Sequence, residues 1–105
     1  LKYKGEIEVH IEKGYPYLEN NPALTKKVRE QFQLVLGEEK VAELALRMTA
    51  EDFAFYSHLV PVCFYRVGVA DSAKSVNYGV HHPKFDIDPL SIKVAMKSFT
   101  SLAFL

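Results

Sequence analysis

Polar and apolar positions alternate over residues 3–11. Ile7, Val9 and Ile11 fall on one side and Glu6, Glu8, His10 and Glu12 on the other. A period of two with β-branched residues predicts a strand with one wet face. Lys13-Gly14-Tyr15-Pro16 ends it, because proline donates nothing to a sheet ladder. Residues 14–21 then form a turn-rich connector and the best internal boundary. Asn21-Pro22 predicts a helix start, with asparagine as cap and proline preset for the first helical position. Leu24, Val28, Phe32, Val35 and Leu36 make one apolar stripe, and Gly37 is expected to close the helix in a left-handed cap.

Residues 41–46 fit either a helical face or a short strand. The short strand is favoured, because Gly37 and the next helix start leave little room. Thr49-Ala50-Glu51-Asp52 predicts a second helix, with threonine as cap, two acids at its positive end, and a flank of Phe53, Phe55, Tyr56 and Leu59. Val60-Pro61 stops it. Residues 62–69 are almost continuously apolar, with Arg66 as the single charge, and predict a strand covered on both faces. Residues 68–89 carry turn chemistry, and so long a loop in a small domain is usually functional. A last helix follows Asp88-Pro89, with Ile92, Ala95, Met96, Phe99, Leu102 and Ala103 as its apolar side. The order strand, helix, strand, helix, strand, loop, helix predicts an α/β architecture with helices packed on a sheet.

Composition narrows the function. The 105 residues include 13 basic and 13 acidic side chains, a balance unsuited to a general nucleic-acid binder. No run approaches the ~18 apolar residues of a membrane span. The single cysteine, Cys63, excludes an intrachain disulfide and suits a reducing, cytoplasmic compartment. The chain begins at Leu1 with neither an initiator methionine nor a signal-peptide pattern, so a piece of a longer polypeptide is expected.

Candidate chemistry gathers in two places. Gly79-Val80-His81-His82-Pro83-Lys84-Phe85-Asp86 lies between the expected buried strand and the last helix, where α/β sheets place ligand sites. Imidazole is a common metal ligand, and Asp86 could orient one. The plain alternative is a solvated or turn-capping His-His pair, since zinc takes three or four protein ligands and no Cys/His set is evident. His10 faces the wet side of a strand, His58 lies at a helix end, and Cys63 sits inside a strand as a packed thiol. Glu51-Asp52 could do acid–base work, but capping accounts for both residue type and position. There is no glycine-rich phosphate loop. The aromatic residues are not interleaved with basic ones, so a base-stacking platform is not expected.

Residues 48–56 (Met-Thr-Ala-Glu-Asp-Phe-Ala-Phe-Tyr), Val60-Pro61, Phe64-Tyr65-Arg66-Val67-Gly68 and residues 80–86 (Val-His-His-Pro-Lys-Phe-Asp) resemble the C-terminal part of metal-dependent N-acyl-amino-acid amidohydrolases. These are the aminoacylase, hippurate-hydrolase and auxin-conjugate-hydrolase branch of the carboxypeptidase-like zinc-peptidase family. Residues 14–21 resemble that family's passage from its smaller lid domain back into the catalytic domain. The resemblance implies a two-domain parent. Residues 1–17 would be the last strand of a lid and dimerisation domain, and residues 18–105 the C-terminal part of a helix-sheet sandwich. Two divalent metals are implied, zinc or manganese, with nickel and cobalt admissible.

On the same resemblance His81 matches the last metal ligand. His82 stands where the family often has a small hydroxyl residue. Glu51, Asp52 and Gly79 fall at the substrate pocket. The other ligands, the general-base glutamate and the lid histidine belong to earlier sequence, so no catalytic residue is expected in these 105. The implied substrate is an N-acyl amino acid or a dipeptide-like amide, and the implied partners are the remainder of the parent polypeptide and a second subunit, with no nucleic acid and no membrane. The isolated chain is expected to be inactive and prone to self-association. The competing expectation is an independent small α/β interaction module whose histidine loop is only a turn.

Overall fold

The structure, a computed structural model, describes residues 4–105. Tyr3, the first residue of the expected opening strand, lies outside them, as do Leu1 and Lys2. Three α-helices follow in order: α1 (Pro22–Leu36), α2 (Ala54–Ser57) and α3 (Leu90–Ser101). Short 3₁₀ turns at Glu38–Lys40 and Leu102–Phe104 extend α1 and α3.

α1 forms as its sequence dictates. The Asn21 side chain accepts from Leu24 N at 3.0 Å, and Pro22 opens the first turn. Val28 and Phe32, one turn apart, carry its buried face. Gly37 N–H donates to Gln33 O at 3.0 Å, at φ 103° and ψ 144°. The positive φ explains the glycine. The ψ lies outside the left-handed helical cap expected there, and the chain passes directly into the 3₁₀ turn. A Cβ at Gly37 would also meet the Glu39 carboxylate at 2.8 Å.

The second helix is shorter than expected and begins later. Thr49 does not cap it. Glu51 does, its C=O accepting from Ala54 N at 3.1 Å and its carboxylate from Phe53 N at 3.1 Å. α2 is a single turn, and Phe55, Tyr56 and Leu59 of its expected apolar flank are exposed.

α3 turns inward a face beside the one its apolar pattern predicts, with Ala95 and Leu102 of the expected stripe half-buried at its edge. Ser91, Ser98 and Ser101 are buried, whereas Ile92, Met96 and Phe99 are exposed. Small serines let α3 lie close to α1. Each hydroxyl donates to the carbonyl three residues back: Ser91 to Asp88 just before the helix, Ser98 to Ala95, Ser101 to Ser98. Gln31 of α1 crosses to donate to Ser101 O at 3.2 Å. Asp88, not Pro89, supplies the cap, its carboxylate accepting from Leu90 N at 2.8 Å.

No strand occurs among the described residues, and the segments at 4–11, 41–46 and 62–69, where strands are expected, run unpaired. A strand exists through a ladder with a neighbour, and these segments have no paired neighbour here. Ile7, Val9 and Ile11 are 88%, 71% and 83% exposed. Residues 62–69 are held by other means. Val62 is buried and its C=O accepts from Asn21 N at 2.8 Å. The Asn20 carboxamide takes both backbone groups of Phe64, accepting from its N–H at 2.7 Å and donating to its C=O at 2.8 Å. One side chain thus imitates the peptide group of a missing strand.

The buried apolar residues are few: Val28, Phe32, Ala54 and Val62. Around them Phe32 meets Tyr65 edge-on at 4.9 Å, and Phe53 meets Phe64 at 5.5 Å. Cys63 is half-buried rather than fully packed. The radius of gyration is 19.7 Å, with extents of 65 × 38 × 19 Å; a compact chain of this length has about 13 Å. The chain is a flat, open arrangement with one small core.

Candidate functional site

The 69–88 loop is closed by polar ties. Asp88 N donates to Val69 O at 2.9 Å, joining its two ends. Lys74 Nζ meets Asp86 Oδ2 at 2.5 Å and Asp71 Oδ2 at 4.0 Å. The Lys74 ammonium, hydrogen-bonded to Asp86, holds that carboxyl below the usual carboxylate value, and the same bond raises Lys74. Both Asp86 oxygens are engaged, since Oδ1 accepts from Ile87 N at 2.9 Å. Asp86 pins the loop, and among the described residues no hydrogen bond joins it to an imidazole. Asn77 repeats the Asn20 device: it accepts from Asp71 N at 2.9 Å and donates to Asp71 O at 3.0 Å.

Within this frame residues 78–85 make a tight double turn. His82 N donates to Gly79 O at 3.2 Å, and Phe85 N donates to His82 O at 2.9 Å. His82 Nδ1 accepts from Lys84 N at 3.1 Å. The His82 ring stacks on Tyr78, with centroids 4.2 Å apart and planes 12° from parallel. The Lys84 ammonium lies 6.0 Å from the centre of the Tyr78 ring.

His81 differs from its neighbour in backbone conformation and in contacts. Its φ is 73°, and among the described residues no other non-glycine residue has a positive φ. For a side chain of this size the left-handed region costs roughly 1–2 kcal/mol. The ring is exposed and has no hydrogen-bond partner among the described residues. Strain of this kind tends to persist where a side chain must be presented in one direction.

The other expected site residues lie elsewhere. Glu51 is half-buried, and its carboxylate is committed to Phe53 N. Asp52 is exposed, with its C=O bonded to Phe55 N. Gly79 is exposed, and a Cβ there would meet nothing within 4 Å, so the turn does not require glycine for space. No hydrogen bond among the described residues joins residues 51–52 to residues 79–82. No group of three or more His, Cys, Asp or Glu among them could hold a metal. Among the described residues, open grooves lie between residues 19–22 and 57–62 and between α1 and α3, and neither is lined by Glu51, Asp52, Gly79 or His81. The residues present suit one imidazole ligand of a divalent cation, not a complete centre.

Sequence reasoning passed over Tyr78, Asn77 and Lys74. Their one legible signal is spacing: an aromatic four residues before His82, and Asp/Asn residues at turn positions that favour side-chain-to-backbone bonds.

Residues 4–104 match the peptidase family M20/M25/M40. The chain is similar to a Bacillus subtilis protein provisionally named amidohydrolase YhaA, with 33% identity over 96 residues, which is 91% of this chain and 24% of that protein. An uncharacterised hydrolase of Staphylococcus saprophyticus is 38% identical over 98 residues, covering 90% of this chain and 25% of the relative. An Arabidopsis thaliana protein named as an ILR1-like IAA-amino acid hydrolase is 32% identical over 89 residues, covering 85% and 19%. The chain spans about a fifth to a quarter of the length of these curated relatives. No solved structure matches at a significant level. No helix among the described residues is long and apolar enough to cross a membrane.

Proposed function

The chain belongs to peptidase family M20/M25/M40, and from that premise we propose that it is the C-terminal part of a metal-dependent amidohydrolase acting on N-acyl amino acids or dipeptide-like amides. The observation that carries the reading is His81: an exposed imidazole with no hydrogen-bond partner among the described residues, at φ 73° in a loop closed by polar ties. Such a ring offers a nitrogen lone pair to a divalent cation, zinc or manganese by the chemistry of the donor. The relatives named as amidohydrolase and IAA-amino acid hydrolase support an amide as the bond cleaved.

Divalent metal, when bound, polarises the scissile carbonyl and lowers the barrier to attack. This chain's share is narrower. His81 contributes one ligand, fixed before the cation arrives. Glu51, Asp52 and Gly79 stand at the wall of the substrate pocket, with Glu51 holding the α2 turn through Phe53 N. The general base and remaining ligands come from other parts of the polypeptide, so the isolated chain neither turns over nor holds metal tightly.

The open shape supports a partner polypeptide. Ile7, Val9 and Ile11 on one segment, and Ile92, Met96 and Phe99 on α3, lie exposed. Faces of that kind are normally covered. Residues 1–17 then complete a lid-domain sheet in a homodimer, and residues 18–105 complete an α/β sandwich. The free thiol of Cys63 suits a cytoplasmic setting.

The test is His81→Ala in the full-length protein, with bound metal measured by elemental analysis and hydrolysis of an N-acyl amino acid measured alongside. Metal content should fall by about one equivalent or more per subunit and turnover should be nearly abolished. Unchanged metal content and turnover would overturn the assignment.

A further inference from the structure

Two adjacent histidines leave open which one binds. Resting on the reading above, we infer that His82 and Tyr78 are positioning residues that lock the 78–85 turn and leave His81 as the ligand. His82 is committed at four points. Its N–H goes to Gly79, its C=O takes Phe85 N, its Nδ1 takes Lys84 N, and its ring face lies on Tyr78.

The Nδ1 contact decides the chemistry. A neutral imidazole has one donor and one acceptor nitrogen. With Nδ1 accepting from Lys84 N, the proton sits on Nε2. That nitrogen then has no lone pair for a cation. Ligation by His82 through either nitrogen would require losing the Lys84 bond. His81 carries no such bond, and its backbone already has the opposite handedness, at φ 73°.

The role asked of His82 is that of an acceptor for the amide two residues on. Asn does this in Asx-turns. An asparagine should therefore replace it, although it cannot stack as an imidazole does. Tyr78 contributes a ring face, not a hydroxyl, so phenylalanine should serve at that position.

The experiment titrates zinc alone into the metal-free full-length protein, in competition with a chromogenic chelator. Cobalt(II) absorption of each loaded variant reports its ligand set. His82→Ala should weaken zinc binding about 10–100-fold, the range seen when partners that orient a ligand are lost. The cobalt spectrum should keep the parent shape, because no ligand is removed. His82→Asn should regain most of the affinity. Tyr78→Ala should weaken binding, and Tyr78→Phe should not. Should His82→Ala fail to fold, Tyr78→Ala decides in its place: parent-like zinc binding by that variant overturns the positioning role. Parent-like binding by His82→Ala overturns the positioning role, and so does His82→Asn binding as poorly as alanine or a changed cobalt spectrum. His81→Ala serves as the separate control. If it leaves zinc affinity and the cobalt spectrum unaltered, the amidohydrolase reading of His81 fails, whatever the His82 series shows.

Discussion

The helical half and the 69–88 loop are both ordered, but by different means. α1, α3 and residues 53–65 are held by buried Val28, Phe32, Ala54 and Val62, with aromatic edges around them. The loop has no buried side chain at all. It is held by backbone groups tied to Asn77, Asp71, His82, Asp86 and Asp88. Apolar burial tolerates many sequences of similar volume. A polar tie depends on one donor and one acceptor at one distance. The region that presents His81 is therefore the more exacting of the two in residue identity, and the less costly to perturb in free energy.

The largest expected effect tests the apolar side of that contrast. Phe32 is 7% exposed and meets Tyr65 edge-on. Phe32→Ala should destabilise the full-length protein by about 3–5 kcal/mol, seen as a large fall in the thermal midpoint. The same protein, where it remains folded at low temperature, should keep zinc affinity close to the parent, because no loop tie is touched. Loss of metal binding in folded Phe32→Ala would show that the two regions are not separable.

The same contrast explains what was legible in the sequence. α1 was readable to the residue, because Asn21, Pro22 and Gly37 act on their own backbone and need nothing distant. The loop was readable as a loop for the same local reason. The strand pattern at 4–11 and 62–69 was also visible, but alternation records only which side chains avoid water. It does not supply the neighbouring strand, and Asn20 stands in at Phe64. α3 shows the limit most plainly. Its apolar stripe predicts the buried face, yet the serines are buried and Ile92, Met96 and Phe99 of the stripe are exposed. A pattern identifies the faces of a helix, not which one a given neighbour takes. At the candidate site His81 and His82 were visible as a pair. Their division of labour was not, because it depends on a backbone dihedral and on a ring four residues away.

Asn20 and Asn77 refine the comparison, because they make the same two bonds in the two regions. Asn20 clamps Phe64 in a part-buried setting, and Asn77 clamps Asp71 in an exposed one. Removal of Asn20 strands backbone groups that water reaches poorly, a loss of about 1–3 kcal/mol. Asn77→Ala leaves its partners open to water and should cost about 1 kcal/mol or less. Thermal or denaturant midpoints of the two variants, compared directly, give the order. Equal losses would mean that burial does not set the value of the tie.

The smallest effect concerns the Lys74–Asp86 pair, and its sign can be worked out. Hydrogen bonding to Lys74 lowers the Asp86 carboxyl below its usual value. A lowered acid contributes stability that is present above the unfolded value and lost as pH falls through the folded one. The same bond raises Lys74, so its contribution is present below the unfolded lysine value and lost as pH rises through the folded one. The pair is thus complete from about pH 4 to about pH 10. Both partners are well exposed, with side chains 41% and 68% accessible, so water and salt screen most of the attraction. Lys74→Ala should leave the thermal midpoint almost unchanged at neutral pH. Amide hydrogen exchange should nevertheless rise within residues 69–88, and the gap between variant and parent should close as pH is lowered through the Asp86 transition. A large midpoint shift would mean that the loop carries global stability, and the distinction between a burial-held half and a tie-held loop would then collapse.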